Sequence, residues 1–215
     1  KANDIPSAER QSKGRAIANL LQLRDEAIAN VMAIQNFDSG YLLFVTKLGI
    51  VKKLSLKEVS KPRNTGVRIL NLPADGSDEI LNVKKVDDKQ EILLVTRKGQ
   101  AIRFDSDEVR AMGRASYGVK GVELGKTDSV VEIMALPIEG KTTVLTITEK
   151  GFGKRSNLDE YRKTARGAKG VISLKVSEKT GNVMAALSVS DSDSIIVTTT
   201  KGMVLRTNMK DIRVM

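Results

Sequence analysis

The chain has 215 residues, with 36 Lys and Arg against 26 Asp and Glu, and a net charge of +10. It contains no Cys and no His. That excludes a disulfide framework, a thiolate or imidazole metal site, and every Ser–His or Cys–His nucleophile pair.

Taken in order, the first 40 residues give two conflicting signals. From Ala16 to Met32 the apolar spacing and Ala content suit a helix. However, Arg10 stands four residues before Gly14, and that pairing returns at Arg114–Gly118 and Arg166–Gly170, with a form one residue shorter at Arg63–Gly66. Gly14, Gly66, Gly118 and Gly170 are each 52 residues apart. In that register Asn19-Leu20 falls on Asn71-Leu72. A repeat this regular sets one geometry for all its units, so the opening segment is expected to be the second half of a β-unit.

From residue 41 each unit runs the same way. A strand such as Tyr41 to Val45 leads into a Thr-x-x-Gly turn, at Thr46–Gly49, Thr96–Gly99, Thr148–Gly151 and Thr199–Gly202. A second short strand follows, which makes a β-hairpin. Four residues after each turn glycine stands a basic residue: Lys53, Arg103, Arg155 and Arg206. An acidic-apolar pair comes next (Glu58-Val59, Glu108-Val109, Glu160-Tyr161, Asp211-Ile212), then the Arg-to-Gly stretch and a third strand. A polar turn leads to a fourth strand, at Ile80–Val83, Val130–Ile133 and Val183–Leu187. Four strands in about 50 residues is the unit of a propeller blade. The expected fold is all-β and propeller-like, in one domain, with blades at 41–90, 91–141 and 142–194 and partial blades at 1–40 and 195–215.

The charge follows the repeat. Basic residues gather between the second and third strands: Lys52, Lys53, Lys61 and Arg63; then Arg103, Arg110, Arg114 and Lys120; then Lys154, Arg155, Arg162, Lys163, Arg166 and Lys169; then Arg206, Lys210 and Arg213. Acidic residues gather in other connections, such as Asp75 to Glu79 and Asp191 to Asp193. One segment of a blade maps to one belt of an array, so these cations predict a basic stripe suited to DNA phosphates. A solvated basic edge that guards outer strands is the plainer reading. Aromatic residues make up 3% of the chain, which favours a duplex backbone over stacked single strands. No apolar run approaches 18 residues, and Lys1-Ala2-Asn3-Asp4 does not open a signal peptide, so a cytosolic protein or fragment without a membrane partner is expected.

Several stretches resemble the C-terminal domain of the DNA gyrase A subunit. They are Gly99 to Phe104, Val109 to Arg114, Gly151 to Arg155, Glu160 to Arg162, Arg166 to Ile172 and Lys175 to Gly181. The resemblance covers essentially the whole chain. It implies a β-pinwheel of about six blades that wraps duplex DNA, with little sequence preference, in an ATP-dependent type IIA topoisomerase. Its partners would be the rest of the gyrase A subunit, together with the gyrase B subunit, while the domain alone would be a monomer. The family's Gln-Arg-Arg-Gly-Gly-Lys-Gly box has a degenerate counterpart here. Arg166, Gly167, Lys169 and Gly170 match it, while Thr164, Ala165 and Ala168 depart from it. The related subunit of topoisomerase IV, whose box is degraded, and a protein-binding propeller are the alternatives.

No catalytic group, metal site or cofactor is expected. Tyr41, Tyr117 and Tyr161 do not match the Arg-Tyr pair of the family's nucleophile, and Tyr161 is expected to pack in the slot of Val59 and Val109. Asp105-Ser106-Asp107 and Asp191-Ser192-Asp193 fit local turn chemistry better than Mg²⁺ binding. There is no P-loop.

Overall fold

In this computed structural model, residues 7, 11, 13, 27–63, 66–87, 89–137 and 142–215 are described. The opening half-unit falls mostly on residues 14–26, outside the described residues. Residues 27–40 form no regular element, but Met32, Ile34 and Phe37 pack against Leu42, Phe44, Leu54 and Leu56.

Each unit begins with its hairpin. β1 (Tyr41–Thr46) pairs with β2 (Ile50–Ser55), and β4 (Gln90–Thr96) with β5 (Gln100–Asp105). β8 (Thr143–Thr148) pairs with β9 (Gly153–Asn157), and β12 (Ser194–Thr198) with β13 (Val204–Asn208). The turn chemistry explains the recurring Thr and Gly. The N–H of Gly49, Gly99, Gly151 and Gly202 donates to the carbonyl of the Thr three residues earlier, at 3.0 Å each time. In three of the four turns the Thr hydroxyl accepts a further backbone N–H, at Ile50, Gln100 and Met203. Those glycines have φ near +80°, a region that costs other residues energy.

A short 3-10 turn follows each hairpin, at Leu56–Val59, Ser106–Glu108, Leu158–Glu160 and Met209–Asp211. The fourth strand of the unit then pairs with the first: β3 (Ile80–Val86) with β1, β7 (Val130–Pro137) with β4, and β11 (Val183–Val189) with β8. The third strand does not stay in its own unit. β6 (Val119–Lys120) crosses to pair with β2, and β10 (Val171–Ile172) with β5. The sheets therefore read β3-β1-β2-β6, β10-β5-β4-β7, β11-β8-β9 and β12-β13. The blade boundaries drawn at the sequence repeat are thus not the boundaries of the sheets. Each of the first two sheets completes itself with a strand from the following repeat.

That exchange explains the 52-residue glycine. Gly118 and Gly170 pass directly over the preceding sheet. A Cβ on Gly118 would lie 2.6 Å from the Val51 carbonyl oxygen, and one on Gly170 would lie 2.3 Å from that of Ala101. Both also have positive φ, so any side chain is refused twice.

Apolar layers fill the space between sheets. Leu43, Val45, Ile92, Leu94, Phe104 and Ile133 join the first sheet to the second. Leu93, Val95, Met134, Val144, Leu158 and Tyr161 join the second to the third. β4 alternates between the two layers, so both of its faces are buried and it reads as an almost unbroken apolar run. No helix among the described residues is long and apolar enough to cross a membrane.

Candidate nucleic-acid interface

The basic residue four places after each turn glycine lies on the second strand of the hairpin, and Lys53, Arg103 and Arg155 lie beneath the following repeat, with backbone and side chain both engaged there. The carbonyls of Lys53, Arg103 and Arg155 accept the N–H groups of Met112, Thr164 and Met215, one repeat on. The Lys53 ammonium donates to the Ser106 carbonyl at 3.2 Å. Arg103 Nη1 donates to the carbonyls of Leu158 and Tyr161, at 2.9 and 3.2 Å. Arg155 Nη1 does the same to Met209 and Ile212, at 2.7 and 3.2 Å. These acceptors are the first residue of the next 3-10 turn, whose carbonyl also takes the N–H of the closing residue, and, for the two arginines, the closing residue itself.

The opening residue of each hairpin holds the same cation from the other side. Tyr41 offers its ring 4.5 Å from the Lys53 ammonium, and Glu91 accepts from Arg103 Nε at 2.7 Å. The Thr143 hydroxyl accepts from Arg155 Nε at 2.8 Å, and the Ser194 hydroxyl from Arg206. Arg206 is exposed.

Lys52 is fully buried. Its ammonium donates to the carbonyls of Ile69, Arg114 and Ser116 at 2.6, 2.8 and 3.0 Å. Burial pulls its pKa below the ordinary lysine value. Arg166 is half-buried. Its backbone N–H donates to Glu108 Oε2 at 2.8 Å, its Nε to the Glu108 carbonyl and its Nη1 to the Lys120 carbonyl, both at 3.0 Å.

These placements correct part of the expected phosphate-binding set. Lys52, Lys53 and Arg155 are buried, with cationic groups turned inward and used to join repeats. Arg103 is used in the same way and is 14% exposed. Turning Arg103 outward, for example, would leave the carbonyl of the buried Tyr161 without its donor, and a stranded buried group costs about 1–3 kcal/mol. Arg166 is a partial case of the same kind.

The remaining cations are placed differently. Arg110, Arg162 and Arg213 each directly follow the residue that closes a 3-10 turn in the last three repeats, where the first repeat has Ser60, and all three are exposed. Arg63, Arg114, Lys120, Lys163 and Lys169 are exposed as well, and Lys154 is half-buried. Lys163 pairs with Glu91 and Asp105 at 2.8 and 2.7 Å, and hydrogen bonds to Asp105 and then Glu91 raise its pKa. Arg114, Lys120 and Lys154 have carboxylates at 3.7 to 3.9 Å. Exposed pairs this loose contribute little and yield to a stronger anion. Arg68 joins this exposed set and was missed in the sequence. Its register offered a signal, since it holds the place that Lys120 takes one repeat later.

The acidic loops are spent on turn geometry. Asp78 accepts the N–H groups of Leu48 and Glu79, and Asp128 those of Lys98 and Ser129. Asp193 accepts from Ser190, and those hydrogen bonds lower its pKa. Tyr161 lies in the core with its hydroxyl 2.9 Å from that of Ser173, in the slot expected for it.

Stacked antiparallel sheets that exchange a strand with the next repeat, with cations along one outer segment of each, define a propeller-type repeat domain. The sequence profile of the DNA gyrase C-terminal domain, a β-propeller, matches residues 40–87, 90–137, 142–190 and 193–215. The chain belongs to that family.

The chain is 40% identical to the DNA gyrase A subunit of Chlamydia muridarum over 219 residues, a match covering 100% of the chain and 26% of that protein. It therefore spans about a quarter of the length of that relative. Among solved structures it superposes on the C-terminal domain of DNA topoisomerase IV with a TM-score of 0.88 at 30% identity, covering 99% of this chain and 66% of that one. On a DNA gyrase A C-terminal domain the TM-score is 0.80 at 27% identity, covering 93% and 67%. The all-β, propeller-like expectation and the resemblance to gyrase A both hold.

Proposed function

We propose that this chain is the DNA-binding and DNA-wrapping domain of a DNA gyrase A subunit, and that it bends duplex DNA round its outer edge in support of negative supercoiling. One observation carries the reading: Arg110, Arg162 and Arg213 recur at one register of the repeat, and all are exposed. A duplex carries a negative charge about every 1.7 Å, and Lys or Arg at its phosphates releases counterions. Successive repeats that present cations at one level hold the duplex along a curved path. Bending 20–30 bp costs roughly 1–6 kcal/mol, which many phosphate contacts can offset. Such contacts position a duplex without reading its sequence.

In this reading Arg63, Arg110, Arg114, Lys120, Arg162, Lys169 and Arg213 meet phosphates, while Lys52, Lys53, Arg103 and Arg155 hold the edge in shape. In the same reading the cutting and rejoining of strands belongs to the rest of the gyrase A subunit, with the gyrase B subunit as a further partner. The gyrase reading is preferred to topoisomerase IV on the 40% identity to a gyrase relative. Ligation of a nicked DNA circle bound to the chain tests it. A shift in linking number is expected, and an unchanged linking number at saturating protein excludes wrapping.

A further inference from the structure

The exposed edge is not uniform from one repeat to the next. Between the first and second repeats lies a groove of about 320 Å³, lined by Lys61, Arg63, Arg68, Asn71 and Arg114. All four of these cations are exposed, and no carboxylate is among the lining residues. Glu58 approaches Arg114 Nε from outside the lining, at 3.7 Å.

The walls of this groove are fixed from below. Asn71 Nδ2 on one wall donates to the Ala115 carbonyl on the other, at 2.8 Å. The buried Lys52 ammonium ties the Ile69 carbonyl of the first wall to the Arg114 and Ser116 carbonyls of the second. A groove held open in this way needs little ordering when an anion enters it.

The corresponding place between the second and third repeats is built otherwise. Ala111 stands where Lys61 was, and Glu123 where Asn71 was. Lys120, in the place of Arg68, has Glu123 at 3.7 Å. Arg166, in the place of Arg114, gives its Nη1 to the Lys120 carbonyl and its backbone N–H to Glu108. Each junction has one loose ion pair at 3.7 Å, but the second adds Glu123 to the lining register and engages Arg166 in internal hydrogen bonds, whereas the lining of the first holds no carboxylate.

We propose that the groove of Lys61, Arg63, Arg68 and Arg114 is the anchor at which the phosphodiester backbone of a duplex is first held, before the other cations lay it along the edge. The proposal rests on the DNA-binding reading above. Cations converging in a concave site focus their field and raise the local concentration of a polyanion. Three of the four are Arg, whose planar fork grips phosphate through two parallel hydrogen bonds.

The test compares two triple variants of the 215-residue chain that lose equal charge. One is Lys61→Ala, Arg63→Ala, Arg68→Ala; the other is Arg110→Ala, Arg162→Ala, Arg213→Ala. All six side chains are exposed, so thermal unfolding of both variants is expected to match the parent. Binding is measured to a duplex of about one helical turn, roughly 10 bp, too short to follow the whole edge. The groove variant is expected to bind it more than about tenfold more weakly, with a salt slope smaller by about two to three units. The other variant is expected to lose less than about threefold on that duplex, yet to lose most of its linking-number change on a circle. Equal losses on the short duplex, or a larger loss in the second variant, would overturn the anchor and leave a uniform edge. If neither variant changes binding or linking number, the DNA-binding reading itself fails.

Discussion

Arg155 and Arg162 stand seven residues apart in one repeat and have opposite fates. Arg155 lies on β9, is 3% exposed, and donates to Thr143, Met209, Ile212 and Asp191. Arg162 lies just past the 3-10 turn and is exposed, and its side chain has no hydrogen-bond or ion-pair partner among the described residues. Their side chains are identical, and neither pattern of flanking residues announces burial. What differs is the cover. The next repeat closes over β9 and offers carbonyls from its own 3-10 turn, whereas among the described residues nothing covers the side chain of Arg162. A basic residue in an array of this kind is thus a fastener or a contact according to whether the neighbouring repeat reaches it.

Substitution at the two positions should separate these roles. Arg155→Ala removes the donor of the Ile212 carbonyl, one of two donors to the Met209 carbonyl, and the partner of the Thr143 hydroxyl and of Asp191. It is expected to cost about 3 kcal/mol of stability, read as the urea midpoint, with duplex affinity unchanged in the folded fraction. Arg162→Ala is expected to stay within about 0.5 kcal/mol of the parent in stability while flattening the salt slope of duplex binding by about 0.9. A loss of stability in the second variant, or of affinity alone in the first, would erase the distinction.

Lys52 sharpens the same comparison from an unexpected side. It sits next to Lys53 on β2 and points to the opposite face of the strand, yet it too is buried. Lys52→Met keeps most of the volume and leaves the carbonyls of Ile69, Arg114 and Ser116 without their donor. A loss of about 2 kcal/mol is expected, measured by thermal unfolding. An unchanged melting temperature would mean that the ammonium is not needed to join the repeats.

Lys163 is the intermediate case, exposed but engaged, and its effect should be the smallest. Its folded pKa is raised above 10.5 by Asp105 and Glu91. The stabilisation is therefore fully present below pH 10.5 and lost as the pH climbs through the folded value. Urea titrations across that alkaline range should show a stability decline that Lys163→Met lacks. An identical decline in both proteins would show that the pair contributes nothing.

Much of the fold was legible because its signals are local. The Thr and Gly of each hairpin, the apolar runs of β1, β4 and β8 and the fourth strands all act over a few residues. The strand exchange was not legible. Both Val119 and Val171 read as strand residues, but whether they pair within their own repeat or with the one before depends on the path of the chain. The contact set was half legible for a related reason. Membership of the basic segment followed from the repeat, as Arg110, Arg162 and Arg213 show, while Arg68 was overlooked because its neighbours on β-like positions are apolar.

The sequence by itself determined the 52-residue period, the hairpins, the positions that must be glycine and the segment that carries the charge. Each of these is written within one repeat and is reinforced by its copies. Only the tertiary structure decided which cations remain available to a partner and that four of them converge on one groove. That outcome rests on carbonyls and side chains about one repeat away, and a carbonyl has no signature in the sequence.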